Sequence, residues 1–380
     1  MHMDTSMEKL CGEAVQKARD VLTLCSTRHG LYASAGAHGY TQVWSRDSNV
    51  SMIGASFNTS DFKGVFARSL STLASRQSKN GQIPNATDFI GSIDKPATFA
   101  TIDSSLWFIL GEHFYKKRFG SALWEKHKKN IGAALKWVQF QDAGEDMMPE
   151  QLPTSDWQDC FPHKYGHTIN TQALYYAALS ATGHKKILPE FKKQVDRYLY
   201  DSSLGYFLPW HWKDHEKYRE LEKWFDSLGN MLAIVFGLAD KKQSKSILKL
   251  VEESGVAEPY PMRAIYPPIH EKSAEWHGYF KASLAGVPNN YINGGIWPYI
   301  GGFYVCALVE SGRLRLAEDA LESLAHANML GKRFGWDFNE WIHPITGTPG
   351  GSRHQAWSAG SYLLAYEAVK KRKNPLKIQL

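Results

Sequence analysis

The chain has 380 residues, 43% hydrophobic and 22% charged, a balance that supports a large buried core and excludes intrinsic disorder. Lys and Arg number 44 against 38 Asp and Glu, and the net +6 is spread along the chain apart from Lys370 to Lys373, which argues against a nucleic-acid partner. No apolar run approaches the roughly 20 residues that span a bilayer, and the opening MHMDTSMEKL lacks a secretory apolar stretch, so a cytoplasmic location with no membrane partner is expected.

Helical periodicity dominates in chain order. Ile102 to Phe114 places Leu106, Ile109, Leu110 and Phe114 at helix spacing, and Trp297 to Leu308 does the same with Trp297, Ile300, Tyr304 and Leu308. Breaks at Gly, Pro, Asn and Asp clusters predict twelve helices over 8–26, 47–57, 60–75, 103–117, 120–141, 169–181, 184–198, 221–239, 241–253, 297–311, 313–330 and 358–370. Strand-like alternation is scarce. Five helix pairs are separated by only about one to four residues, whereas the joints between pairs run to roughly 20 to 40. Short joints force antiparallel neighbours. The alternation predicts an all-α fold of six helical hairpins closed into an (α/α)6 barrel, a single domain over 1–380 with its long joints on one active face. An open helical solenoid is the alternative. Cys11, Cys25, Cys160 and Cys306 lie far apart with no CxxC pair, so four free, buried thiols are expected.

The long joints carry the polar and aromatic clusters. In YTQVWSRDSNV, Arg46 and Asp47 stand beside Trp44 at a helix start, where Asp47 could cap the helix. The second joint supplies Gln82, Asn85 and Asp103, with Trp107 one turn after Asp103, itself a plausible cap. The third contains Asp156 and Asp159 flanking Trp157, an aromatic neighbour able to desolvate an acid and raise its pKa, and runs on to Asn170 and Gln172. The fifth ends in NGGIWP, with Asn293, Trp297 and the paired Gly294 and Gly295 that let backbone approach a ligand. The sixth places Glu340 between Asn339 and Trp341, followed by Gln355 and Trp357. In a ring of six, the third and sixth hairpins face one another. A carboxyl from each is the minimum equipment for hydrolysing a glycosidic bond, and opposed placement favours inversion, for which about 6.5 to 9.5 Å between carboxyls leaves room for a water.

WSRD (Trp44 to Asp47), TIDSSLWF (Thr101 to Phe108), WQD (Trp157 to Asp159) with INTQALYYAA (Ile169 to Ala178), NGGIWP, and NEW with QAWSA (Gln355 to Ala359) resemble, in order and spacing, the inverting (α/α)6-barrel glycosidases. That group includes neutral and alkaline invertases, the amylo-α-1,6-glucosidase domain of glycogen debranching enzymes, trehalases and processing α-glucosidases. The resemblance spans Tyr40 to Ala365. It implies Asp159 as general acid and Glu340 as general base, with Arg46, Asp47, Asp103 and Trp107 lining the subsite of the non-reducing sugar. Asn170 stands where invertases and debranching domains usually have Glu, and Cys160 with Phe161 stand where invertases have Arg-Arg. Hydrolysis of a small α-glucoside or short α-linked oligosaccharide is therefore implied, while sucrose specificity is not.

Two further readings use the same barrel. Histidines crowd the joints at His163, His167, His343 and His354, and a sugar epimerase would use a histidine pair for proton abstraction. A carbohydrate-binding protein would keep the pocket without turnover. No HExxH or cysteine triad accompanies the histidines, and no GxxxxGK phosphate loop is present, so neither metal nor nucleotide cofactor is expected.

Overall fold

The computed structural model describes residues 5–36, 39–214, 219–282, 284–331 and 335–378. Twelve α-helices run through them: α1 (Thr5–Cys25), α2 (Ser45–Asn58), α3 (Lys63–Ser75), α4 (Asp103–Phe119), α5 (Ala122–Gln139), α6 (Ile169–Ala181), α7 (Leu188–Leu199), α8 (Ser227–Val235), α9 (Lys241–Ser254), α10 (Pro298–Glu310), α11 (Leu314–Met329) and α12 (Ala356–Lys371). Two kinds of sequence produce two kinds of helix. The even-numbered helices are buried on every side, as α6 is from Ile169 to Ser180 and α10 from Pro298 to Val309. The odd-numbered ones bury a single stripe, such as Leu188, Phe191, Val195 and Leu199 of α7. A helix apolar all round belongs inside and an amphipathic one outside.

The inner helices close a ring, because α2 packs on α4, α4 on α6, α6 on α8, α8 on α10, α10 on α12 and α12 back on α2. This is the (α/α)6 barrel, not an open solenoid. The ring is tight where side chains vanish: a Cβ on Gly54 would meet the Gly360 carbonyl, and one on Gly302 would meet Ser361. Each short joint turns the chain back, so all six inner helices run the same way. The long joints precede their N-termini and form one face, toward which the positive ends of six helix dipoles point.

The long joints hold short strands that the periodicity did not reveal. Val43–Trp44 pairs with Ala86–Thr87, which pairs with Ala97–Thr98, and Trp341–Ile342 pairs with Pro349–Gly350, all antiparallel. The helix expected over 221–239 is shorter. Phe225–Asp226 pairs instead with Ile265–Tyr266, and Asp226 caps α8 by accepting from the Gly229 N–H at 3.0 Å. A strand followed by a cap sets the boundary there. Asp47 and Asp103 are not caps. They are the third and first residues of their helices, and the cap positions, Trp44 and Ile102, make no side-chain capping bond. Cys11, Cys25 and Cys306 are buried as expected, but Cys160 is exposed, because it stands beside Asp159 at the tip of the third joint.

Candidate active site

Arg46 organises one side of the open face. Its Nη1 donates to Asp103 Oδ2 at 2.8 Å, and its Nη2 lies 3.7 Å from Asp159 Oδ2. Arg46 and Asp103 are buried, whereas Asp159 keeps 42% of its side-chain surface open. Burial pushes the Asp159 carboxyl up to about 6; Arg46 opposes the shift, while Asp103 and Asp156 add to it. Asp47, on the same turn as Arg46, is pushed up to about 7, again first by burial. Carboxyls at these values hold a proton in mildly acidic water, which an ordinary carboxyl does not.

Glu340 is held from three directions. Its Oε1 accepts from the Tyr291 hydroxyl at 3.0 Å and the Tyr40 hydroxyl at 3.3 Å, and its Oε2 accepts from the Ser352 N–H at 2.8 Å. Burial raises its pKa; the three donors pull the other way, and the charge of Asp159 raises it further. Asp159 thus acts electrostatically on Glu340 although the two belong to different joints. Gly351, at φ +70°, lies against the Glu340 carboxyl, where a Cβ would collide with it.

Aromatic rings line the ring interior between these groups. Trp157 packs edge-on against Trp297 and Tyr299, at centroid distances of 5.5 and 5.6 Å, and Tyr299 stacks on Trp357 at 4.2 Å. Trp44 meets Tyr40 edge-on, and Trp341 meets Tyr291 likewise. Several buried polar atoms nearby have no protein partner: Asp103 Oδ1, Trp107 Nε1, Trp357 Nε1, Gln355 Oε1, and both polar atoms of Asn170. Asn85 is buried with its Oδ1 in the same condition.

Other residues singled out from sequence lie elsewhere. Asp156 is fully buried, with Oδ2 2.8 Å from Lys164 Nζ, so its carboxylate is taken up by an ion pair. The Asn293 amide is used up inside its own joint, donating to the Ile269 and Gly286 carbonyls and accepting from the Ile269 N–H. Gln172 donates to the Pro149 carbonyl from within α6. Gln82 lines a separate groove of about 510 Å³ with Trp137, Phe140 and Trp212. His167 sits near Asp146 and Glu150, His163 near His277, His354 near Asp337, and the His343 ring within its own turn. Sequence reasoning missed Tyr40, Tyr291, Tyr299, Ser352 and Lys164. Tyr40 and Tyr291 do open the YTQVWSRD and YINGG stretches, a proximity to motif residues that could have marked them.

The sequence profile of the family described as alkaline and neutral invertase matches residues 217–372, and that described as amylo-alpha-1,6-glucosidase matches residues 16–127. The two profiles match opposite halves of this chain. The chain is thus similar, over separate stretches, to two kinds of six-hairpin glycosidase. It is 24% identical over 331 residues to the probable alkaline/neutral invertase A, chloroplastic, of Arabidopsis thaliana, covering 71% of this chain and 51% of that protein. It is 32% identical over 148 residues to cytosolic invertase 1 of Oryza sativa subsp. japonica, covering 38% and 25%. The chain thus spans about half the length of the first of these curated relatives. Its fold is that of the mannosylglycerate hydrolase of Thermus thermophilus, with a TM-score of 0.70 at 15% identity over 92% of this chain and 99% of that one. No helix of the described residues is long and apolar enough to cross a membrane.

Proposed function

We propose that the chain is an inverting glycoside hydrolase acting on a small α-glucoside or short α-linked oligosaccharide. What supports the reading is a pair of carboxyls from opposite joints that act on one another electrostatically: Asp159 poised near pKa 6 beside Arg46, and Glu340 fixed by two tyrosines and a backbone N–H. Asp159 gives its proton to the glycosidic oxygen as the bond to the anomeric carbon breaks. Glu340 takes a proton from the water that attacks that carbon on the other face, so one water is consumed and each carboxyl ends in its partner's starting state. Solvent then resets both. Arg46 holds Asp159 in place and balances its charge once the proton has left. The partly open rings of Trp44 and Trp341 offer apolar faces to a pyranose, and the unpartnered polar atoms of Trp107, Asp103 and Gln355 suit its hydroxyls.

Invertase names among the relatives and a mannosylglycerate hydrolase among the structural neighbours support the reaction class without choosing a sugar. Asp159→Asn and Glu340→Gln each keep shape and hydrogen-bonding capacity while removing the titrating group. Each is expected to lower release of reducing sugar by at least about a hundredfold, given what a positioned acid or base contributes, with the circular dichroism spectrum unchanged. Near-full activity in either variant overturns the role assigned to that carboxyl.

A further inference from the structure

The segment that bears Asp159 is a closed loop with two fastenings at its neck. The outer one is backbone: Gln151 and Gly166 exchange N–H to carbonyl bonds of 2.9 Å in each direction. The inner one is ionic. Lys164 Nζ lies 2.8 Å from Asp156 Oδ2 and 3.0 Å from Asp226 Oδ2, and none of the three side chains has any exposed surface. Asp156 and Lys164 bracket the tip that holds Trp157, Asp159, Cys160 and Phe161. Asp226 belongs to another hairpin, where it caps α8. One ammonium therefore joins the two ends of the loop and docks them on a helix of the inner ring.

Such a triad is a costly way to fill space. Ions taken out of water lose several kcal/mol each, and an apolar substitute of similar volume is often as stable or more so. Burial pulls the Lys164 pKa down, yet the two carboxylates win and hold it above its ordinary value, so the ammonium stays charged. The N-terminus of α8 offsets part of the second negative charge. What a charged clamp supplies that an apolar plug does not is a fixed direction, because Asp156 Oδ1 at the same time accepts from the Gln158 N–H at 2.9 Å, one residue before Asp159. Gly229 reinforces the dock: a Cβ there would collide with Ile169, so α8 and α6 meet with no slack beneath the loop.

We propose that Lys164 is a positioning residue for the acid: through Asp156 it sets the path of the loop at Asp159, and through Asp226 it fixes that loop to the barrel. The inference rests on the reading of Asp159 as the acid. Misplacing a reacting group by an ångström costs on the order of a hundredfold in rate, whereas substrate binding through Arg46, Asp103 and the aromatic rings is left in place. The clamp therefore acts on kcat and spares KM.

Two variants test this without leaving an unpaired buried charge. Asp156→Asn keeps a balanced Lys164–Asp226 pair and opens the neck; Asp226→Asn keeps the neck and loosens the dock. Lys164→Met is the severe form, assayed at low temperature, and its failure to fold leaves the first two decisive. The expected result for both is a kcat lowered tenfold or more with KM within threefold of wild type, together with faster amide hydrogen exchange across 157–163. Wild-type kcat and exchange in both folded variants overturns the proposal. Loss of activity in Asp156→Asn alone also overturns it, since that marks Asp156 itself as the reacting group. The two readings fail separately: absence of turnover in the wild type sinks the hydrolase reading, while the exchange measurement still reports whether Lys164 holds the loop.

Discussion

Two tyrosines decide the condition of the proposed base. Their hydroxyls donate to the charged form of Glu340 and favour it, so removing the closer one by Tyr291→Phe raises the Glu340 pKa. The acid limb of the kcat/KM profile is then expected to move to higher pH, and an unmoved limb contradicts the assignment. The alkaline limb belongs to Asp159, which must be protonated to act, and is expected near pH 6 in the free enzyme. Gly351→Ala tests the same site by shape. The added methyl enters the space of the Glu340 carboxyl at a backbone angle, φ +70°, that side chains resist, and a kcat loss of about tenfold or more is expected from misplacement of the base. Cys160 provides a reporter. Desolvation by the surrounding joints and the charges of Asp159 and Glu340 push its thiol up to about 12, so it is expected to react slowly with maleimide at neutral pH although its surface is accessible, and faster in Asp159→Asn.

The helices divide into those that position the site and those that brace it. Asp240 caps α9 in a reciprocal capping box with Gln243 on the outer ring, so Asp240→Ala is expected to lower stability by about 1 kcal/mol with kcat unchanged at 25 °C. Gly360→Val is a different matter. Its side chain would strike the Ser51 backbone of α2, overpacking the ring at a cost of roughly 1 to 3 kcal/mol or more, and it would push apart the helices that carry Arg46 and Gln355. Thermal melts alongside kcat separate the two cases. The ring was legible in the sequence because alternate helices differ in kind: α7 shows one apolar stripe, whereas Ile169 to Ala181 scarcely shows a polar face. The start of α8 was not legible, because Trp224 and Phe225 have helix-compatible spacing to Leu228 and Leu232, and only pairing with Ile265 and Tyr266, some forty residues on, makes them extended. The clasp of Tyr40 and Tyr291 on Glu340 was hidden for the same reason: no local period encodes contacts between joints.

Across the molecule, Asp47, Asp103 and Asp159 gather around the Arg46 guanidinium, and this has a measurable effect on stability. Asp47 binds its proton more tightly folded, near pKa 7, than unfolded, near 3.8. Its contribution is full below the unfolded value and is lost as pH rises through the folded one. His113, pulled down to about 4 by burial and by Lys117, works in the opposite sense, so the Asp47 effect is read from a difference. The stability of Asp47→Asn relative to wild type is expected to improve steadily from about pH 4 to about pH 7; a difference independent of pH contradicts the raised carboxyl. The same convergence makes the charge of Asp47, Asp159 and Glu340 depend on one another.

Proton NMR of the purified protein with sucrose, trehalose, isomaltose and glucosylglycerate, followed from the first minutes, reads the stereochemistry of the sugar as it leaves. The proposed acid and base predict that sucrose and glucosylglycerate, whose leaving groups are not glucose, release β-glucose first, with α-glucose growing only by mutarotation, whereas trehalose gives both anomers in equal amounts because its leaving glucose keeps the α configuration. First appearance of α-glucose from sucrose or glucosylglycerate contradicts the assignment of Glu340 as a base acting on water.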